Sequence, residues 1–328
     1  MNSKRINLNE LTNILKIENS ALICCSSFEE RSTVIPSILK EKIFNFVFLF
    51  KNENLQSNKI NENALFIKES YNYASIEITR TDDPLLTSNI IRNIISILIQ
   101  NKIKNVIIDI TTFTHEMLLM LLMNLYKNRI YFDNIQYLYL GAKDYSINEN
   151  IDEKWLSKGC KKIRNVIGYP GKLIPGIPIC LTVLVGYEHE RAAIMIEEMD
   201  PEYLILGKGK PSDDSLTNPS HKAPMLHFQN ILENFLSRRI ETSSFEFSCS
   251  ILESTYKKLK EVIETNKKFN HIIIPLNTKI STLAAGIVAL ENTNIQICYS
   301  EPEIYNFDGY STSDENVTII EGLFDIIN

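Results

Sequence analysis

Two kinds of short stretch in this chain bring together side chains that can do chemistry. The first is VIIDITTFTHE (106–116), an apolar run that breaks at Asp109 into Thr111, Thr112, Thr114, His115 and Glu116. The second is CSSFEERS (25–32), where Ser26, Ser27, Phe28, Glu29 and Arg31 follow another apolar run. Each has a later counterpart: VGYEHERA (185–192) carries Tyr187, Glu188, His189 and Arg191, and IIIPLNTKIS (272–281) carries Asn277, Thr278 and Lys279. Hydroxyls, an amide and a lysine just ahead of a helix make an anion site, because first-turn N–H groups and the helix dipole favour phosphate. Arg31 and Arg191 would add bidentate phosphate contacts, and Phe28 and Tyr187 would stack on bases. Asp109 is the awkward member, since a carboxylate repels phosphate. Its expected role is to accept hydrogen bonds from neighbouring loop amides and hold the threonines in place.

Plainer readings exist for each position. A Thr or Asn before a helix is ordinarily a cap, and Glu29 with Arg31 reads as a helix-start acid and a surface base. Capping alone, however, would not require an aromatic, an acid and an arginine in both halves. His115 and Glu116 read as a helix-face pair or as acid–base groups at the same edge. The stretch GKGKP (207–211) resembles a glycine loop without its third glycine and reads as a lysine-bearing loop, with contact to phosphate as the lesser alternative. His221 and His227 have no cysteine or acid at ligand spacing, so no metal site is expected. The chain lacks the G-x-x-x-x-G-K-[ST], H-E-x-x-H and G-x-S-x-G motifs.

The elements that must position these groups are short Ile-, Val- and Phe-rich runs alternating with longer mixed stretches, the pattern of an α/β fold with a doubly wound parallel sheet. In the first half the pattern predicts strands at 21–25, 46–50, 75–79, 106–110 and 135–140, and helices at 29–40, 58–70, 84–101 and 114–126. In the second it predicts strands at 179–185, 203–206, 245–248, 271–275 and 295–299, and helices at 190–199, 222–239, 251–267 and 280–291. WLSKGCKKIRNV (155–166) reads as a helix or strand closing the first unit, its basic residues a solvated face. Between the halves, GYPGKLIPGIP (168–178) holds three of the eleven glycines and three of the eleven prolines, which marks a junction. The expected organisation is a Rossmann-like domain at 1–167, a Pro/Gly-rich junction at 168–178 and a second Rossmann-like domain at 179–328. A near-constant spacing supports internal duplication: 159 from Phe28 to Tyr187, and 160 both from Arg31 to Arg191 and from IQYLYL (135–140) to IQICYS (295–300). In open parallel sheets ligands bind beyond the carboxyl ends of the strands where strand order reverses, and the first and fourth strands flank that crevice. The polar clusters fall at those two ends, twice.

Composition bounds the function. An apolar fraction of 44% and a charged fraction of 23% suit a globular protein with a sizeable core. A net charge of −6 gives no bulk attraction to duplex DNA or an anionic membrane, which leaves only a local anion pocket. The polar start, MNSKRINLNELTN, has no signal-peptide segment, and the apolar run at 117–123 is far shorter than a bilayer span. The six cysteines have no C-x-x-C spacing, and Cys24, Cys180 and Cys298 sit in apolar runs as small hydrophobes. The expectation is a cytoplasmic, disulfide-free protein that needs no cofactor.

At this point the chain resembles the CARF and SAVED group of Rossmann-like sensors. In CARF domains the loop after the fourth strand carries an acid or amide, then Thr or Ser, and often a basic residue. Asp109-Ile-Thr111-Thr-Phe-Thr-His115 and Asn277-Thr278-Lys279 follow that pattern. The first copy departs from it in having histidine without a preceding Gly-Gly, and the second in having Pro275 where an acid is common. The resemblance implies two CARF-like units forming one pocket, as in SAVED domains, that receives a cyclic oligonucleotide second messenger in antiviral signalling. It also implies that the effector is a separate chain, or that the domain degrades its own ligand. Two alternatives stand beside this: a nucleotide-processing enzyme (phosphodiesterase, or nucleoside hydrolase or transferase using Glu29 or Glu188), and an interaction protein with vestigial clefts.

Overall fold

The computed structural model describes residues 1–55, 57–145, 156–210, 222–236, 240–307 and 311–327. The chain forms two compact units, one comprising Met1–Ser146 with Tyr310–Ile326 and the other Ile147–Gly309.

The first unit opens with β1 (Asn2–Asn7) and a short α1 (Leu11–Ile14). Five parallel strands then alternate with four helices: β2 (Ser20–Ser26), α2 (Arg31–Leu39), β3 (Phe46–Asn52), α3 (Asn58–Ser70), β4 (Ser75–Thr79), α4 (Pro84–Gln100), β5 (Asn105–Asp109), α5 (His115–Lys127) and β6 (Asn134–Tyr145). The second unit repeats this after β7 (Ser157–Lys158) and β8 (Lys162–Pro170), with β9 (Ile179–Val185), α6 (His189–Met199), β10 (Tyr203–Lys210), α7 (Lys222–Leu236), β11 (Glu241–Ser248), α8 (Leu252–Thr265), β12 (Asn270–Pro275), α9 (Lys279–Glu291) and β13 (Gln296–Glu301). The chain ends with β14 (Ile304–Tyr305) and β15 (Ser311–Glu321).

Sheet order is β1-β15-β6-β5-β2-β3-β4 in the first unit and β11-β10-β9-β12-β13-β8 in the second. The five parallel strands of each therefore run third-second-first-fourth-fifth, the Rossmann-like doubly wound arrangement. The first and fourth strands pair directly, Ile23 opposite Ile108 and Val183 opposite Ile274. Strand order reverses between them.

Local sequence explains the helix starts. Asp83 caps α4 by accepting from the Leu86 amide at 2.9 Å, with Pro84 in the first turn where its missing N–H costs nothing. Helices α5 and α9, which link the fourth strand to the fifth, are buried along nearly their whole length, as their all-round apolar sequences require. Cys24, Cys180 and Cys298 are buried free thiols. No helix among the described residues is long and apolar enough to cross a membrane.

The organisation differs from the division at 1–167, 168–178 and 179–328. The segment read as closing the first unit is extended, and its strand β8 pairs antiparallel with β13 of the second sheet. Conversely β15, from the end of the chain, pairs antiparallel with β6 of the first sheet and is itself flanked by β1. The Pro/Gly-rich stretch thus lies within the second unit, between β8 and β9. The segment after the fifth strand of each repeat supplies the sixth strand of the other repeat's sheet. The exchanged strands are themselves repeats: the spacing is 154 from Ser157 to Ser311, from Ile163 to Val317, and from Gly168 to Gly322. Ile163 pairs with Ser300 and Val317 with Leu140, which are equivalent positions of the two fifth strands. Gly168 and Gly322 both adopt left-handed backbone, with φ of 101° and 60°, a conformation glycine enters without steric cost.

Candidate functional site

In the first unit the loop after β2 and the loop after β5 meet at the reversal of strand order. Thr112 Oγ1 donates to the Cys25 carbonyl at 2.7 Å, which ties the loop after β5 to the end of β2. Thr111 is buried and its hydroxyl accepts from the Leu140 amide at 3.1 Å. Thr114 caps α5, accepting from the Met117 amide at 3.1 Å. Asn63 of α3 donates to the Ser27 carbonyl at 2.7 Å, and Ser27 Oγ accepts from the Glu29 amide at 3.3 Å. Ser27, Thr112 and Thr114 are half-buried at this edge, whereas Ser26 is buried.

The second unit builds the same edge with different residues. Asn277 Nδ2 donates to the Val185 carbonyl at 2.6 Å, while Asn277 Oδ1 accepts from the Thr278 amide at 2.8 Å and from the Cys249 thiol at 3.3 Å. Thr278 Oγ1 donates to the Cys249 carbonyl at 3.0 Å and accepts from the Ser281 amide at 3.3 Å as the cap of α9. Gly186 is required here, since a β-carbon on it would stand 2.5 Å from the Leu276 carbonyl oxygen. Lys279 is half-buried at the first position of α9.

The two arginines are placed equivalently, but inward. Arg31 is 5% exposed: its Nε donates to Glu29 Oε2 at 3.0 Å, its Nη2 pairs with the same oxygen, and its Nη1 donates to the Leu140 carbonyl at 2.9 Å. Arg191 is 1% exposed, with Nη1 2.6 Å from Glu188 Oε1 and Nη2 donating to the Ser300 carbonyl. Each reaches a fifth-strand carbonyl 109 residues further on. Burial works against the charged Arg191, but the Glu188 carboxylate and the Tyr299 and Tyr305 rings hold its pKa above the ordinary value.

These placements correct the expectation that Arg31 and Arg191 grip phosphate: both are braces inside the fold. Phe28 and Tyr187, 5% and 9% exposed, are core rings and present no face for stacking on a base. Thr112 and Thr278 already donate their hydroxyl protons to backbone carbonyls, so they shape the crevice. His115 and Glu116 are buried in the first turn of α5. The stretch read as a lysine-bearing loop is strand through Lys210, with Lys208 and Lys210 beside Glu246 at 3.9 and 2.5 Å; Pro211 lies outside the described residues, as do His221 and the His227 side chain. Sequence reasoning missed Asn63, Ser157, Ser311 and the carbonyls of Leu140 and Ser300. The serines carried one signal, their common spacing of 154.

Asp109 ends β5 at 3% exposure and accepts from the Thr111 amide at 3.1 Å, the loop-holding role expected of it. Burial raises its carboxyl to about 7, against the lowering influence of Thr111 and Arg31. The folded pKa therefore lies above the unfolded value of about 3.9, so this group's favourable contribution is complete below that value and is lost as pH rises through about 7. Asp109→Asn keeps an acceptor for Thr111 and removes the titration. Urea unfolding of parent and variant between pH 4 and 8 should show the variant gaining on the parent as pH rises, by an amount on the order of a few kcal/mol. A constant difference across that range would mean that Asp109 ionises in the fold without penalty.

A cavity of about 540 Å³ in the first unit lies elsewhere, lined by Arg129, Phe132, Asp133, Gln136, Glu321 and Asp325 among others. It sits by the amino end of β6, opposite the edge where the polar loops converge, and we assign it no part in that crevice.

No protein-family model matches the chain, and no curated protein matches it in sequence. Among solved structures, a similar chain is leucoanthocyanidin reductase from Vitis vinifera in its binary complex with NADPH. It is 8% identical, the similarity covers 73% of this chain and 81% of that one, and the TM-score is 0.26.

Proposed function

We propose that the protein is a nucleotide-sensing module that binds a phosphate-rich ligand, a cyclic oligonucleotide second messenger of antiviral signalling, at the carboxyl edge of its Rossmann-like sheets. The observation that carries the reading is the repeated meeting, at the reversal of strand order, of the loop after the first strand and the capped start of the helix after the fourth. Helix first turns hold N–H groups without intrahelical partners, and phosphate is what such a place attracts. With the arginines turned inward, the ligand's donors are these amides with Ser27 and Thr114 in the first unit, and Lys279 with the second Asn277 amide hydrogen in the second. Glu29 and Glu188 are paired with arginine, which removes most of their repulsion for an anion. The module's output is read by a separate effector chain.

Incubation with a panel of linear and cyclic oligonucleotides, followed by mass spectrometry of bound and free species, tests the reading. A sensor retains its ligand unchanged, and the absence of any retained nucleotide would overturn the proposal. Lys279→Ala should weaken ligand binding by about 1.5–3 kcal/mol, as for a charge-assisted bond, with little change in thermal stability. Stability lost with binding intact would make Lys279 a structural residue.

One observation favours the enzymatic alternative. A carboxyl raised to about 7 at the end of β5, as in Asp109, suits general acid–base catalysis of ligand cleavage. In that case Asp109→Asn abolishes turnover and spares binding.

A further inference from the structure

The carboxyl edges of the two units differ in charge, and the difference lies in the segment that brings each sheet its sixth strand. Residues 157–164 (SKGCKKIR) and their equivalents 154 positions later, 311–318 (STSDENVT), begin alike. Ser157 donates to Glu188 in the second unit, and Ser311 donates to Glu29 in the first at 2.9 Å. Beyond that serine the chemistry reverses. Residues 157–164 carry Lys158, Lys161, Lys162 and Arg164 with no acid, whereas 311–318 carry Asp314 and Glu315 with no base.

In the second unit these cations border the loop that follows β9. Asn277 holds the start of that loop through the Val185 carbonyl, and Ser157 holds Glu188 at its end. Lys279 comes two residues after Asn277, and Lys158 directly after Ser157. Lys158 Nζ stands 3.9 Å from Glu190 Oε2 in the first turn of α6. Burial lowers the His189 pKa, and the nearby Lys158 charge lowers it further. Glu301 is shared by two cations, Lys161 at 3.2 Å and Arg164 at 3.8 Å. Glu303 lies against Gly159, where a β-carbon would stand 2.6 Å from its Oε2. The carboxylates of Glu190, Glu301 and Glu303 are thus outnumbered by Lys158, Lys161, Lys162, Arg164 and Lys279. The first unit has the opposite balance. Asp314 pairs with Arg5 at 2.5 Å and Glu315 with Lys143 at 2.9 Å, one for one, and Glu30, in the place of Glu190, adds a further carboxylate. Thr312 stands where the second unit has Lys158, and the buried His115 where it has Lys279.

We infer that the two edges are not interchangeable: the second unit takes the phosphoryl groups of a ligand, at Lys158 and Lys279, and the first unit disfavours them. The inference rests on the reading of the carboxyl edges as ligand sites. Local charge decides the matter, because charges further away than a Debye length, roughly 8 Å at physiological salt, are largely screened. The net charge of −6 therefore has little say at an edge lined by its own cations. A phosphoryl group gains from every lysine within that range and is repelled by every carboxylate. The first unit's donors, Ser27 and Thr114, are left for uncharged groups.

Hydrogen exchange of the full chain, read on peptides by mass spectrometry with and without millimolar inorganic pyrophosphate, tests it. Exchange should slow in peptides covering 157–164, 186–193 and 276–283, and should keep its rate in 26–33, 110–117 and 311–318. Lys158→Gln should weaken the apparent pyrophosphate affinity about tenfold, the loss of one charge-assisted contact, and Lys158→Arg should retain it. The Lys158 side chain is 43% exposed, so neither substitution threatens the fold. A 5′-phosphorylated diadenylate in place of pyrophosphate separates two sources of the same chemistry. Tighter protection of the same peptides assigns the site to nucleotides, and equal or weaker protection assigns it to free polyphosphate. Slowing in both units alike, slowing confined to the first, or no slowing in either overturns the inference. So does full affinity in Lys158→Gln. The retention assay is independent of this outcome. Slowing in the second unit with no oligonucleotide retained removes the sensor reading and leaves the anion site. A retained oligonucleotide that protects both units alike keeps the reading and overturns the inference.

Discussion

Residues 1–167 expressed alone will fail to accumulate as a soluble folded domain, although the composition of that stretch is that of a complete α/β unit. The fragment lacks β15, which pairs along β6 and contributes the buried side chains of Val317, Ile319 and Ile320 to the first sheet. Burying an aliphatic side chain of this size is worth about 1.5–3 kcal/mol. Three of them approach the whole stability of an ordinary domain, about 5–15 kcal/mol. The loss also bares the outer edge of β6, twelve residues long, and a long unpaired edge is a template for intermolecular pairing. The fragment further carries the first six residues of β8, whose partner β13 is absent. Joining 1–146 to 310–327 through a short flexible linker should recover a soluble species with cooperative thermal unfolding by circular dichroism. A monomeric, cooperatively unfolding 1–167 would show that β15 is an accessory to the first unit.

That boundary was hidden for a physical reason. The central parallel strands are legible because they are buried on both faces, and an apolar run such as VIID or IIIP has few other uses; β4 and β11, at the sheet edges, are largely exposed. The antiparallel edge strands obey a weaker rule. In β1 (NSKRIN) only Ile6 is buried, and β8 and β15 mix exposed charges with a few buried positions, so their sequences carry no strong strand signal and do not say which sheet they join. The pairing partner of an edge strand is set by shape, hundreds of residues away, and nothing in SDENVTII names β6. The candidate site shows the same division. Polar groups clustered at strand ends were visible, and the structure brings them to the edges where strand order reverses. Which way each one points was not visible, because the deciding partners are backbone carbonyls. Arg31 turns inward to the Leu140 carbonyl and Arg191 to the Ser300 carbonyl, and a carbonyl is common to every residue. Phe28 and Tyr187 likewise serve the core beneath the loops they begin.

Arg191→Ala is therefore expected to destabilise the fold by about 3–5 kcal/mol, the cost of removing one partner from a buried ion pair. A surface arginine that met only a ligand would cost far less, usually within about 0.5 kcal/mol. Three consequences add up at this position. The Glu188 carboxylate, whose side chain is 14% exposed, keeps only the Ser157 hydroxyl among its named partners. The Ser300 carbonyl, in a buried strand, loses its side-chain donor. The Tyr299 ring, 5.7 Å from the guanidinium carbon, loses a cation over its face. Arg191 is also imperfectly satisfied, since its Nε has no hydrogen-bond partner among the described residues. A desolvated pair of this kind is worth less than its breaking costs, so Arg191→Met combined with Glu188→Gln should recover a large part of the loss. Urea unfolding of the parent, the two single variants and the double variant measures this coupling directly. If instead Arg191→Ala leaves the urea midpoint unchanged and abolishes nucleotide retention, the guanidinium swings out to the ligand and the brace is only its resting position.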